Sequence, residues 1–427
     1  MSSCFAKQFY ALVLVLLHCS ASIVSANIQC IESERQALLN FKHGLIDRSG
    51  MLSSWRDDEN NIDCCKWRGI QCNNETGHVL MLNLPGQFPQ QHLKGVINIT
   101  SLIALHNIQY FDLSCNYFRW THIPKLMGSF TNLRYLNLTY SFLSREFPYQ
   151  LGSLKQLRNL DLSFNYLNGE LRYQLANLSQ LRYLGLDGNS FSGALPFQVG
   201  NLPMLHTLGL GGNFLVKFKD AQWLSNLYSL TELRLSYCSL SDTELQSLFN
   251  SHANLSTSLT ILDLSNNMLT SSTFQFSPSL VILDLSSNNM KSSVFRGSLN
   301  LSSKLQNLHS QDCSLSDRSF IVSPTSITNS SSSLVSVDLS MNLLKSSTIF
   351  NWLFNTTANL RTFDLSKNML EGPIPDGFGN MCALQSIDLS YNNLQGEIPS
   401  FFGNMSALQS MYMVTIYKER FHLSLGT

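Results

Sequence analysis

Charge is scarce in this sequence, and its two signs cancel. Only 13% of the 427 residues are Asp, Glu, Lys or Arg, and 28 basic residues face 28 acidic ones. Without clustered positive charge, the chain carries no general footprint for nucleic acid or an anionic membrane. Past the first residues no apolar run is long enough for a membrane helix. A kinase glycine-rich loop, a kinase catalytic loop and the Cys-x-x-Cys spacing of redox enzymes are all missing. No grouping of His, Cys or carboxylate stands outside a repeating background. The expectation is a protein that binds and does not catalyse, with no cofactor and no metal.

The start of the chain is built differently. Lys7 is followed by the apolar run Phe9 to Leu17 and then by small residues ending Val24-Ser25-Ala26. That order predicts a secretory signal over residues 1–26. Removal after Ala26 would take Cys4 and Cys19 with it and deliver the rest to a compartment where disulfides persist.

Periodicity dominates the remainder of the chain. Leu157-Arg-Asn-Leu-Asp-Leu-Ser-Phe-Asn165-Tyr-Leu-Asn-Gly169 returns as Leu384-Gln-Ser-Ile-Asp-Leu-Ser-Tyr-Asn392-Asn-Leu-Gln-Gly396. The Asn of this unit recurs in register at Asn116, Asn165, Asn189, Asn213, Asn267, Asn288, Asn342, Asn368 and Asn392, with Ser141, Cys238 and Cys313 in the same slot. Within each unit a short strand should alternate, so that Leu160 and Leu162 point inward while Asn159, Asp161 and Ser163 face solvent. The Asn should bond backbone groups left unpaired as the chain turns off the strand. Cys238 and Cys313 then read as occupants of that inward slot. The recurrent Ser163, Ser265, Ser286, Ser340, Ser366 and Ser390, with Asp residues two positions earlier in most coils, read as structural. The isolated Gly209-x-Gly211-Gly212 sits at variable strand positions without the βαβ setting of a phosphate loop. One block echoes another: Tyr237-Cys-Ser-Leu-Ser-Asp242 recurs as Asp312-Cys-Ser-Leu-Ser-Asp317.

The pattern Leu-x-x-Leu-x-Leu-x-x-Asn-x-Leu resembles leucine-rich repeats. The resemblance implies an α/β repeat solenoid, a right-handed superhelix with a concave parallel β-sheet roughly 55 Å long. Gly372-Pro-Ile-Pro375, Gly396-Glu-Ile-Pro399 and Gly193-Ala-Leu-Pro196 are similar to the plant-specific repeat, which adds a second short strand and a helical turn to each coil. From Asn213 to Asn342 that element is missing, so the convex side should be less regular there. Domain boundaries are expected at 1–26 for the signal, 27–84 for an N-terminal cap, 85–407 for about twelve repeats, and 408–427 for an incomplete, divergent one. After Ser410 the repeat grammar lapses, which predicts an array cut short with an open parallel edge.

Ahead of the repeats, in the segment opening at Cys30, Leu38, Phe41 and Leu45 recur at helical spacing, and Ser33-Glu-Arg-Gln36 fits a capping box. With Trp55, Cys64-Cys65 and Trp67-Arg-Gly-Ile-Gln-Cys72, the segment resembles the N-terminal cap of plant leucine-rich-repeat receptors. The resemblance implies disulfides Cys30–Cys64 and Cys65–Cys72. The whole is most similar to plant receptor-like proteins of the class that perceives fungal elicitors such as ethylene-inducing xylanase. It implies an extracellular protein or peptide ligand, a co-receptor kinase partner, and a plasma-membrane location for the full-length family. Secreted polygalacturonase-inhibiting proteins and receptor-kinase ectodomains share the same parts. Candidate ligand contacts are Tyr110, Tyr135 and Tyr183 on the strand face and Tyr140 and Phe164 at last strand positions. Glycan acceptors are expected at Asn74, Asn98, Asn137, Asn177, Asn254, Asn300, Asn329, Asn355 and Asn404.

Overall fold

A computed structural model of the protein describes residues 29–424 except 59–61, 172, 196, 219–223, 225–226, 251–257, 271–276, 291–303, 321–332, 347, 357–358 and 415–419. The expected signal segment lies outside the described residues. Each repeat unit contributes one short strand, and these stack into a sixteen-stranded sheet. From Val79–Asn83 to Ser410–Val414 all neighbours in it are parallel and in register, so that Asn159, Tyr183 and Thr207 stand side by side, as do Leu160, Leu184 and Leu208. The alternation works as expected for the leucines: Leu160 and Leu162 are both fully buried. Their counterparts in neighbouring coils continue one apolar core along the stack. The architecture is a leucine-rich-repeat solenoid.

The turn after each strand is held by the recurrent Asn. The Asn165 side-chain amide donates to the carbonyls of Leu138, Leu162 and Ser163, and its Oδ1 accepts from the amides of Ser141 and Leu143 in the preceding coil. Asn189, Asn213, Asn267, Asn288, Asn342, Asn368 and Asn392 repeat the inter-coil donation to a carbonyl. Where the slot holds Ser141, Cys238 or Cys313, the hydroxyl or thiol supplies only the donor half, to Leu113, Leu210 and Leu285. A carbonyl oxygen on the side chain is then missing. At Ser141 and Cys313 their own backbone carbonyls take its place, accepting from Phe118 and Met290. Burial pushes both cysteine thiols up to about 12, so they stay protonated. The two echoed blocks also fold alike: Asp242 accepts from the Thr270 amide and Asp317 from those of Lys345 and Ser346.

Ser163 departs from the simple alternation. It is 3% exposed, and Ser265, Ser340, Ser366 and Ser390 are buried with it. The chain has already begun to turn there: each serine amide donates to the carboxylate of the Asp two residues earlier, at 2.8–3.0 Å. These Asp–Ser pairs therefore shape the turn.

On the opposite side, a second parallel sheet joins Ser144–Glu146, Tyr166–Glu170, Ser190–Ala194 and Leu215–Lys217, and Glu371–Gly372 pairs with Asn393–Leu394. The glycines of this element, such as Gly193 (φ 78°) and Gly396 (φ 92°), occupy the left-handed region where a side chain is strained. Short 3₁₀ turns follow, at Lys125–Ser129, Tyr149–Ser153, Asp376–Asn380 and Ser400–Asn404 among others. Between Lys217 and Glu371 the described residues show no second-sheet strand; α-helices Asp242–Asn250 and Thr348–Thr356 stand there instead. The irregular middle matches the missing Gly-x-Ile-Pro element.

The N-terminal edge is sealed by helix Glu32–His43 and by Ile70–Cys72, which pairs antiparallel with Val79–Asn83. The capping box does not form. The helix begins two residues earlier than a Ser33 cap requires, its N-cap is Ile31 with no side-chain cap, Ser33 lies inside the first turn, and Leu45 falls beyond the helix in the strand Leu45–Ile46. Glu34 instead turns inward, 2% exposed, where it accepts from the Val79 amide at 2.6 Å and meets His78 Nδ1 at 2.8 Å. Trp55 is fully buried, stacks on Trp67 at 5.5 Å and donates its indole N–H to the Arg68 carbonyl. Cys30–Cys64 and Cys65–Cys72 are bonded, so this cluster of four sulfurs is a covalent staple and not a thiolate ligand set.

The C-terminal edge also differs from expectation. Ser410–Val414 continues the parallel ladder beside Ser386–Asp388, and Arg420–Ser424 then folds back on it antiparallel. The last parallel strand is paired on both sides, and the open parallel edge expected after Ser410 is not present.

Candidate binding face

The strand face opposite the core is where side chains are free of packing duties. Tyr110 and Tyr135, one above the other in register, stack face to face at 4.2 Å with rings 2° from parallel. The Asn137 amide donates to Asp112 at 3.1 Å and to the Tyr135 hydroxyl at 3.3 Å. Burial, and then the hydrogen bond to Tyr135, raises the Tyr110 phenol above its ordinary range. A polar-tipped aromatic shelf results, half-buried and rigid.

Tyr140 and Phe164 also stack, at 4.4 Å and 8°. They do not occupy last strand positions. Both lie beyond the strand ends in left-handed turns (φ 51° and 56°), each immediately before the buried slot residue, and both are exposed. Their shelf is a rim beside the strand face. Tyr183 joins neither stack, because the strand Asn159–Asp161 separates it from Tyr135. Its hydroxyl instead donates to Asp161 at 3.2 Å. Burial first, and the Asp161 charge next, push it up to about 12. The five aromatics thus fall into a shelf, a rim and a single tyrosine.

A separate aromatic cluster reaches the second sheet, whose strand Tyr166–Glu170 begins with one of its rings. Tyr117, Phe142 and Tyr166 follow the slot residue in three successive coils. Tyr117 and Phe142 meet at 4.8 Å, Phe88 approaches Phe142 at 5.5 Å, and Trp120 stacks on Tyr166 at 5.3 Å. The signal for these was periodic, one position after the Asn, but it lies outside the strand window.

Farther along, Asp338, Asp364 and Asp388 line a 280 Å³ hollow with His309 and Tyr412. Burial raises the Asp364 carboxyl. Midway, the last strand position, held by Asp in most coils, is occupied by Gly185 and Gly209, and Asp187 takes the place that serine holds elsewhere. Its Oδ1 accepts from the Gly211 amide of the next coil at 2.8 Å. Burial pushes this carboxyl up to about 6.

Of the expected glycan acceptors, Asn74, Asn98, Asn177 and Asn404 are exposed, whereas Asn137 is half-buried with its amide engaged as above. Asn355 falls in helix Thr348–Thr356, and Asn254, Asn300 and Asn329 lie outside the described residues.

Comparison with known proteins finds the same cap and the same repeat. Residues 31–73 match the leucine rich repeat N-terminal domain, and 156–178, 229–251, 258–277, 359–381 and 383–405 match the leucine rich repeat. The receptor-like protein EIX1 of Solanum lycopersicum is 32% identical over 389 residues, covering 89% of this chain and 28% of that protein. The chain therefore spans under a third of that relative's length. Among solved structures, PEPR1–AtPEP1 aligns with a TM-score of 0.58 at 26% identity, over 91% of this chain and 52% of that one. The Arabidopsis receptor kinase HAESA, in complex with the peptide hormone IDA and the co-receptor SERK1, aligns with a TM-score of 0.58 at 25% identity, over 90% and 70%. With its registered repeats and its stapled cap, the chain is a leucine-rich-repeat solenoid, and it is similar to plant receptor-like proteins and receptor ectodomains.

Proposed function

We propose that this chain is the ligand-recognition part of a plant cell-surface receptor-like protein, exported through the secretory pathway, that binds an extracellular protein or peptide on its strand face in defence or elicitor perception. The observation that carries the reading is the pair of stacked aromatic shelves, Tyr110–Tyr135 and Tyr140–Phe164, at one end of a continuous polar strand face. Pre-stacked rings offer large contact area at little further cost in side-chain entropy, as interface anchors do. HAESA, solved with the peptide hormone IDA, and PEPR1, solved with AtPEP1, support binding as the role of the fold. By the same analogy, a co-receptor kinase completes the signalling complex.

The test is replacement of Tyr135, Tyr140, Phe164 and Tyr183 by alanine in the full-length receptor, with a fungal ethylene-inducing xylanase as the first ligand measured. Loss of one anchor of this kind costs about 1–2 kcal/mol, so the quartet should weaken binding by at least about a hundredfold. Unchanged affinity for a ligand that binds the wild type discards the shelves as its docking site.

A further inference from the structure

Away from the strand face, where the first coils turn toward the second sheet, aromatic rings form one connected patch. Tyr117 lies 4.8 Å from Phe142 and 6.3 Å from Phe88, and His92 lies against Phe88 at 5.1 Å. Phe142 lies 6.2 Å from Tyr166, which stacks on Trp120 at 5.3 Å. Phe88, Trp120 and Tyr166 remain 49%, 58% and 47% exposed. A protein on its own rarely leaves a contiguous apolar patch of this kind open to water.

Two residues here stand where the rest of the array uses glycine. The fourth residue after the buried slot is Gly169, Gly193, Gly372 and Gly396 in four coils, all at φ between 78° and 92°. In the first two coils the same place is held by Trp120 (φ 62°) and Arg145 (φ 73°). A left-handed backbone costs a residue with a Cβ free energy that it does not cost glycine. Packing does not recover that cost, since Trp120 is the most exposed ring of the patch and Arg145 is exposed as well. Strain kept for an outward-facing Trp and Arg, the residue types that most often anchor protein interfaces, points to contact with another molecule.

The charge around the rings has one sign. Residues 88–145 hold five Lys and Arg and a single acid, Asp112, which is buried on the strand face against the Ser114 amide and Asn137. Lys94 lies over the Tyr117 ring at 5.4 Å. Arg119 lies over Trp120 at 5.2 Å and donates to the Tyr117 hydroxyl at 3.2 Å. Arg145 belongs to the strand Ser144–Glu146, which pairs with Tyr166–Glu170. None of these three cations has an ion-pair partner among the described residues. Around Phe142 the rings stand 48° to 50° apart, so they make a corrugated surface for separate side chains and not one plane for a sugar chain to lie along.

We propose that this flank docks an acidic, aromatic-bearing segment of a protein partner. Its carboxylates would meet Lys94, Arg119 and Arg145, and its apolar side chains would seat among the rings, as charge complementarity at an aromatic interface requires. This surface is distinct from the strand face and takes its partner whether or not that face is occupied.

The test uses the secreted, disulfide-bonded chain at low salt and the peptide acetyl-Asp-Phe-Asp-Phe-Asp-amide. The charge-reversed acetyl-Lys-Phe-Lys-Phe-Lys-amide and the neutral sugar cellohexaose serve as matches, and binding is followed by saturation-transfer NMR titration. The acidic peptide should bind at least about tenfold more tightly than either match. W120G combined with R145G should lose about tenfold of that binding. The same variant should unfold at a temperature no lower than the wild type, because glycine suits the backbone at both places. Y391A, at an exposed turn far along the array, should bind as the wild type does. Failure of the acidic peptide to bind, equal binding of the two peptides, tighter capture of cellohexaose, or unchanged binding in the double variant would each overturn the proposal. So would loss of binding together with a lower unfolding temperature, which would make Trp120 and Arg145 parts of the fold alone.

Discussion

The most demanding residue in each coil is the one in the buried slot, because it must satisfy the backbone of two coils at once. Asn165→Ala would leave the Leu138 and Leu162 carbonyls and the Ser141 and Leu143 amides without their side-chain partner. The expected cost is about 2–4 kcal/mol by chemical denaturation. Cys313→Ser should cost under about 1 kcal/mol, since Ser141 already meets the same demand with a hydroxyl. A loss at Cys313 as large as at Asn165 would refute this account of the slot. Asp187 makes a second demand of opposite sign. Its carboxyl rises from 3.8 to about 6 on folding, so the folded chain holds the proton more tightly than the unfolded one. Stability therefore falls as pH rises from about 4 to 6, and the penalty is complete above that window. Asp187→Asn removes the ionisation. Relative to wild type, the variant should gain up to about 3 kcal/mol at pH 7 and nothing at pH 4. A pH-independent difference in denaturation midpoint would contradict the burial argument.

Elements are set by how closely the coils stack. The 3₁₀ turns on the convex side come together through Gly128 and Gly152, where an added Cβ at Gly152 would lie 2.6 Å from the Gln174 carbonyl oxygen. Gly152→Ala should destabilise by about 1–3 kcal/mol through forced separation of adjacent coils; a neutral effect in a melting experiment would show that the turns yield freely. At this scale most of the molecule was legible in the sequence. Leucine spacing and the slot residue sufficed for the strands and their register, because every coil repeats the same demands. Three features were not. Ser33 looked like a cap, but burial of Glu34 against Val79 set the helix start, and that contact joins residues 45 apart in sequence. Tyr140 and Phe164 looked like strand residues, but the Asp–Ser turn ends the strand before them. Gly209 and Gly211 looked like ordinary variable strand positions, but the Asp187 carboxylate lies over Gly209 and takes the Gly211 amide.

At the scale of the whole molecule, a long solenoid divides its surface by duty. One face carries the strand side chains with aromatics beside it, and the opposite side carries the 3₁₀ turns that hold the exposed Asn177 and Asn404. Glycan occupancy should follow that division. Mass spectrometry of secreted protein is expected to find glycans at Asn74, Asn98, Asn177 and Asn404 and none at Asn137, whose amide is held by Asp112 and the Tyr135 hydroxyl. Full occupancy at Asn137 would show that the shelf beside it is not formed when the glycan is added.

Docking of a partner on the strand face is tested most directly by hydroxyl-radical footprinting of the receptor with and without bound xylanase. Tyr149 and Tyr173, 46% and 60% exposed on the convex turns of the same region, serve as internal controls. Docking on the strand face predicts that modification of Tyr110, Tyr135, Tyr140, Phe164 and Tyr183 falls on binding while Tyr149 and Tyr173 are unchanged. Protection of Tyr149 and Tyr173 with the shelves still open would contradict it.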